Sequence, residues 1–305
     1  MTILRRTVAV TGTSGLFGRT VVAALARSHR VIAIDLIAAP GHDTVIADML
    51  DLPALTAAFA GADVVVHLAA LDGARTASEE AFIQTNILGC WNALKAAEQN
   101  GIRKMVLCSS ISAIGLGPDC APTCLPVPVD HPQLPVSAYG ISKQAGEMLA
   151  AAFVRRGAMD VICLRPCFIL FPHLVTEVAQ LSASADGVPP PLHLMQSAVP
   201  MNEPLTPTRS FVSPEDAARA FVAAVETEIP GFSAFFVTGP DTCSVHPTET
   251  MVETVFGLRP PVHDPALFAG SPRACVFDIA PTRAALGWSP RDTWASVVAP
   301  RNELK

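Results

Sequence analysis

The sequence predicts an α/β protein: a doubly wound parallel sheet followed by a smaller C-terminal region. Short apolar, β-rich runs at residues 8–10, 31–34, 64–66, 103–107, 161–164 and 235–237 alternate with helical periodicity, the order that builds strand–helix–strand crossovers. A glycine-rich turn follows the first of these runs. The chain has 305 residues, half of them hydrophobic and 16% charged, enough to bury a large core in one large or two closely joined domains.

Charge narrows the classes of partner. A net charge of −6 without any basic cluster excludes a phosphate-tracking nucleic-acid surface and a polybasic membrane patch, since both need a cationic face. No apolar run reaches spanning length. The first six residues lead straight into a strand pattern rather than a signal peptide, and the eight cysteines are scattered, several of them in apolar runs. A reduced, cytoplasmic protein is expected. Cys120 and Cys124 lack a second His/Cys pair at zinc spacing, so no metal is expected.

The first run passes into Thr11-Gly12-Thr13-Ser14-Gly15-Leu16-Phe17-Gly18 and then an amphipathic helix ending near Arg27. That order makes a phosphate cradle. Gly12 permits the tight turn, Gly15 lets backbone approach a diphosphate, and Gly18 lets helix and strand pack closely, with Ser14 and Leu16 between them and helix-end amides facing the anion. Asp35 ends the second run, placed to accept from both adenosine ribose hydroxyls and to repel a 2′-phosphate. NAD is therefore expected rather than NADP. The plain alternative is a strand-terminal aspartate capping a turn.

The only tyrosine, Tyr139, stands four residues before Lys143 within Ser137-Ala138-Tyr139-Gly140-Ile141-Ser142-Lys143. On a helix the two side chains share a face. With four lysines in the chain, chance would supply that spacing about 1% of the time. A phenol titrates near ~10, so making it a base at neutral pH means stabilising its phenolate by roughly 4 kcal/mol. An ammonium one turn away is a suitable source.

The spacing T-G-x-x-G-x-x-G, together with Tyr139 and Lys143, resembles the short-chain dehydrogenase/reductase superfamily. Chain length and later motifs resemble its extended branch, the NAD-dependent epimerase/dehydratase family, from Val8 to about Pro290. The resemblance implies a Rossmann-type NAD-binding domain over residues 1–170, to which part of 211–240 returns, and a smaller substrate-binding region over 171–305. It implies cofactor contacts from Asp48 and Met49 after the third strand, from Leu68, Ala69 and Ala70 after the fourth, and from Tyr139, Lys143, Pro166 and Phe168. The alternative for Asp48 is an N-cap of the next helix. His67 reads as a satisfied core histidine. Asn86 resembles the residue that organises the active site, though an exposed helix asparagine would need no explanation.

In Cys108-Ser109-Ser110-Ile111-Ser112-Ala113-Ile114-Gly115 the resemblance assigns Ser110 as the catalytic serine, with Ser109 and Ser112 as alternates. A hydroxyl can donate to a substrate oxygen while accepting from tyrosine. Two departures appear: Ile114 stands where a tyrosine is usual, and Phe171-Pro172 replaces glycine-proline. A loop with six prolines, residues 118–135, is expected to border the pocket, and Pro-rich 182–208 to shape it. Ser112 and Arg209 are the expected further substrate contacts, and no second phosphate-binding arginine can be placed. The expected reaction is oxidation of a secondary alcohol of a sugar, sugar acid or other polyhydroxy compound, with Tyr139 taking the hydroxyl proton and NAD the hydride. The alternative is a nucleotide-sugar epimerase or dehydratase that retains its NAD. Intact Ser110, Tyr139 and Lys143 disfavour a non-catalytic NAD sensor. The family also implies a homodimer joined through a four-helix interface.

Overall fold

The computed structural model describes residues 5–38, 41, 43–72, 77–117, 120–182 and 209–299. Strand β1 (Thr7–Thr11) leads to helix α1 (Leu16–Leu25), β2 (Arg30–Asp35), β3 (Thr44–Ile46), α2 (Leu52–Ala58) and β4 (Val64–His67). Next come α3 (Glu79–Phe82), a π-helical turn (Ile83–Leu88), α4 (Gly89–Gln99), β5 (Lys104–Cys108), α5 (Ala138–Arg155) and β6 (Asp160–Pro166). The remainder is β7 (Phe168–Ile169), α6 (Val175–Ser182), β8 (Phe211–Val212), α7 (Pro214–Glu226), β9 (Phe232–Val237), α8 (Thr248–Phe256), α9 (Pro265–Gly270), α10 (Ala280–Leu286) and α11 (Trp294–Val298).

Seven parallel strands form the main sheet in the order β3-β2-β1-β4-β5-β6-β9. The strand order reverses between β1 and β4, and at such a switch point the strand ends open a crevice. Strands β4 and β5 are almost wholly buried, which is why they read as continuous apolar runs: helices cover both faces of a parallel sheet. On one face α1 and α7 pack with α8, α9 and α10 over Val8, Val66 and Phe236; on the other α2, α4 and α5 pack over Ala9, Val65 and Met105. The two-residue strands β7 and β8 pair outside the main sheet, and Leu170, Val178, Phe211, Cys243, Trp294 and Val297 form a small cluster there with α6 and α11.

Three local features shape the frame around the crevice and the C-terminal region. The apolar run at 64–70 is strand only to His67, after which the chain turns along the crevice. Residues 79–100 form one helical stretch interrupted by the π turn. Ser213 caps α7 through the Asp216 amide, but the Asp216 carboxylate accepts from the amides of Arg291 and Asp292. It therefore docks the C-terminal turn, where Trp288 also donates to the Asp216 carbonyl. The Pro-rich stretch beyond Ser182 lies outside the described residues.

Candidate active site

The crevice at the switch point begins with the glycine turn. Gly12 has φ +79°, and a β-carbon there would lie 2.7 Å from the Ala69 nitrogen; one at Gly18 would overlap the Gly12 carbonyl oxygen. Gly15 differs, since a β-carbon there would meet nothing nearer than the Gly12 oxygen at 3.5 Å. Its backbone therefore borders open space, as approach of a diphosphate requires. The Ser14 amide donates to Asp35 Oδ2 at 2.8 Å and the Leu36 amide to Oδ1 at 2.7 Å. Leu16, Leu36 and Ile37 are exposed beside them. These residues fit the adenosine and diphosphate of NAD.

The next expected contacts line the same crevice unequally. Asp48 Oδ1 accepts from the Leu50 amide, and α2 is capped instead by Asp51, which excludes the helix-cap reading of Asp48. Met49 is buried, its side chain against Gly89 and its carbonyl held by Asn92. After β4, Leu68 and Ala69 are tied to Thr11 through its carbonyl and hydroxyl, and Ala70 follows on the rim of a small recess of about 20 Å³. Thr11 Oγ1 lies 2.8 Å from His67 Nδ1. Burial, helped by the charge of Lys143, pushes His67 down to about 3, so this histidine is a neutral core residue.

Lys143 closes the recess from α5. Its Nζ donates to the Cys108 carbonyl at 2.9 Å and lies 5.5 Å from the centre of the Tyr139 ring, so the helical spacing read from sequence brings the two onto one face. Tyr139 is half-buried, its ring edge-on to Phe82 of α3. Ser137 caps α5 through the Gly140 amide, and a β-carbon at Gly140 would sit 2.6 Å from the Ser112 carbonyl. Glycine at that position thus lets the first turn of α5 rest on the 3-10 turn that follows β5 (Ile111–Ala113).

At the end of β5 the serines divide. Ser109 Oγ donates to Glu147, whereas Ser110 Oγ accepts from the Ser112 amide at 3.0 Å. Ser110 thereby retains its own proton for donation. Asn86, 5% exposed, is buried inside the π turn: Oδ1 accepts from the Leu71 amide, while Nδ2 donates to the Leu71 carbonyl and to Ser142 Oγ. It joins the π turn to α5 beside Lys143, a placement typical of π segments near functional sites. Beyond β5, Pro166 pairs in register with Val237 and Phe168 with Phe211. Arg209 is buried rather than on the surface, its backbone at φ 54°, its carbonyl accepting from the Cys243 amide and its guanidinium lowered to about 10 by burial.

Sequence reading did not single out the partners of Glu147. Its carboxylate is met by Arg165, Ser109 and Gln133. The available signal was Glu147 four residues beyond Lys143 and Arg165 inside an apolar strand, since charges in buried elements need partners. Among the described residues no His, Cys, Asp and Glu group is arranged for a metal, and no helix is long and apolar enough to cross a membrane.

Sheet order, crevice and glycine cradle together define a Rossmann-type dinucleotide-binding enzyme. The chain belongs to the NAD dependent epimerase/dehydratase family, whose model matches residues 8–234, and is an NAD-dependent enzyme of the extended short-chain dehydrogenase/reductase type. It is 31% identical over 263 residues to the L-arabinose 1-dehydrogenase (NAD(P)(+)) of Haloferax volcanii, covering 83% of this chain and 95% of that one. Over 311 residues it is 28% identical to the UDP-glucose 4-epimerase of Mycolicibacterium smegmatis, covering 95% of each. Its fold matches the structure of MoeE5 in complex with UDP-glucuronic acid and NAD, with TM-score 0.69, 24% identity and 96% of both chains covered.

Proposed function

We propose that this chain is a dehydrogenase that oxidises a secondary alcohol of a sugar, sugar acid or similar polyhydroxy compound, using Ser110, Tyr139 and Lys143. The carrying observation is the Lys143 ammonium, anchored on the Cys108 carbonyl and 5.5 Å from the centre of the Tyr139 ring. NAD, when bound, supplies the hydride acceptor. Tyr139 takes the proton of the reacting hydroxyl, and the Lys143 charge favours the phenolate. Ser110, held by the Ser112 amide, donates to the substrate oxygen and fixes its position. Gly12, Ser14, Gly15, Leu16, Gly18 and Asp35 would hold the adenosine and diphosphate; Asp48 and Met49 the adenine; Leu68, Ala69, Ala70, Pro166 and Phe168 the nicotinamide side. Ser112 and Arg209 are assigned to the substrate.

A net dehydrogenase is favoured over a nucleotide-sugar epimerase by the want of a second arginine in step with Arg209 and by bulky Phe171 where glycine is usual. The match to an epimerase over nearly the whole chain supports the second reading. A screen of aldoses, uronates and simple secondary alcohols separates them: a dehydrogenase accumulates NADH, whereas an epimerase purifies with bound nicotinamide and forms none. Tyr139→Phe keeps the ring and removes the acid, and its turnover should fall by about a hundredfold or more; wild-type turnover in this variant would sink the assignment. The proposal extends to a homodimer, supported by exposed Leu88, Trp91, Ile141 and Met148 on the outer side of the π turn, α4 and α5.

A further inference from the structure

Glu147 lies four residues beyond Lys143 and eight beyond Tyr139, on the same stripe of α5 but deeper in the protein. Oε1 accepts from Ser109 Oγ at 2.5 Å and from Arg165 Nε at 2.8 Å; Oε2 accepts from Arg165 Nη2 at 2.7 Å and from Gln133 Nε2 at 2.8 Å. Arg165 Nη1 donates to the Val129 carbonyl at 2.7 Å. Glu147 and Arg165 are only 3% and 5% exposed. One carboxylate therefore ties together the end of β5 beside Ser110, the helix bearing Tyr139 and Lys143, the end of β6 beside Pro166, and the proline-rich loop.

Stability is a poor account of this arrangement. Removing two charges from water offsets most of their attraction, and apolar residues of similar volume often replace such a pair without loss. Directionality is what an apolar pair could not supply. By taking the Ser109 hydroxyl, Glu147 fixes the rotation of the chain at Ser109–Ser110, and because the backbone at Ser110 is extended its side chain points the opposite way from that of Ser109.

We infer that the Glu147–Arg165 pair is a positioning device that sets Ser110 against Tyr139. It does not touch the reacting atoms. The inference rests on the Ser110, Tyr139 and Lys143 assignment.

The test compares Glu147→Leu/Arg165→Met with Ser109→Ala, measuring thermal midpoint, NAD-binding stoichiometry, kcat and KM. The double variant should keep its midpoint and NAD stoichiometry, with KM for NAD near wild type, while kcat falls by about tenfold to a hundredfold, the cost of an ångström-scale misplacement. Ser109→Ala, which removes one hydroxyl from an otherwise intact network, should lose kcat by about tenfold in the same way. Wild-type kcat in a folded double variant overturns the inference, and wild-type kcat in Ser109→Ala overturns it even where the double variant does not fold. Tyr139→Phe serves as the control. If that variant is active, the catalytic assignment fails; if it is inactive while the network variants keep full kcat, the positioning role alone fails.

Discussion

The two oxygens of Asp35 already accept from the amides of Ser14 and Leu36, which binds the glycine turn to the end of β2 before any cofactor arrives. Each oxygen retains further lone-pair capacity for a ribose hydroxyl, and the negative charge opposes a 2′-phosphate. Asp35→Asn preserves size but removes the charge and turns one oxygen into a donor. NAD affinity should fall about tenfold, as expected for a charge-assisted hydrogen bond of ~1.5 kcal/mol, while NADP affinity rises. Titration of both dinucleotides decides this, and equal wild-type affinities would contradict the role given to Asp35. The cradle was legible because glycines mark backbone requirements directly. The bond of Ser109 to Glu147, 38 residues away in sequence, was not legible, because no local pattern links the two.

Helix α5 was legible as an element from the Tyr139–Lys143 spacing, whereas the neighbouring π turn was not. One extra residue per turn shifts the apolar stripe too little to show over residues 79–100, yet it places Asn86 inward against Leu71 and Ser142. The outer side of the same helices presents Leu88, Trp91, Ile141 and Met148 to solvent, while their inner side holds the crevice. Scattered exposed apolar residues need no explanation, but four on adjoining helices support the proposed homodimer. Leu88→Glu/Met148→Glu should convert a dimer to monomer in sedimentation at micromolar concentration. A monomeric wild type under those conditions would remove the proposed homodimer.

Across the whole molecule, legibility follows how each core is assembled. The main sheet is buried on both faces, so β1, β4, β5 and β6 announce themselves as apolar runs. The smaller cluster draws Leu170, Val178, Phe211, Cys243, Trp294 and Val297 from distant segments and from strands of two residues, too short to carry a period. His67 sits in the legible part and links folding to pH. Thr11 Oγ1 accepts the Ala69 amide and is hydrogen-bonded to His67 Nδ1, which holds the imidazole in the core where burial keeps it neutral when folded. Burial, reinforced by Lys143, lowers the folded group to about 3 from 6.5. Between those values the unfolded chain binds a proton that the native state refuses. His67 therefore leaves stability intact above pH 6.5 and erodes it as pH falls toward about 3, by up to about 1.4 kcal/mol per unit. His67→Gln keeps a hydrogen-bonding partner for Thr11 without a titrating ring. Its unfolding free energy, measured by denaturant titration at a series of pH values, should fall less steeply on acidification, by close to one proton; superimposable slopes for the two proteins would show that His67 is protonated equally in both states.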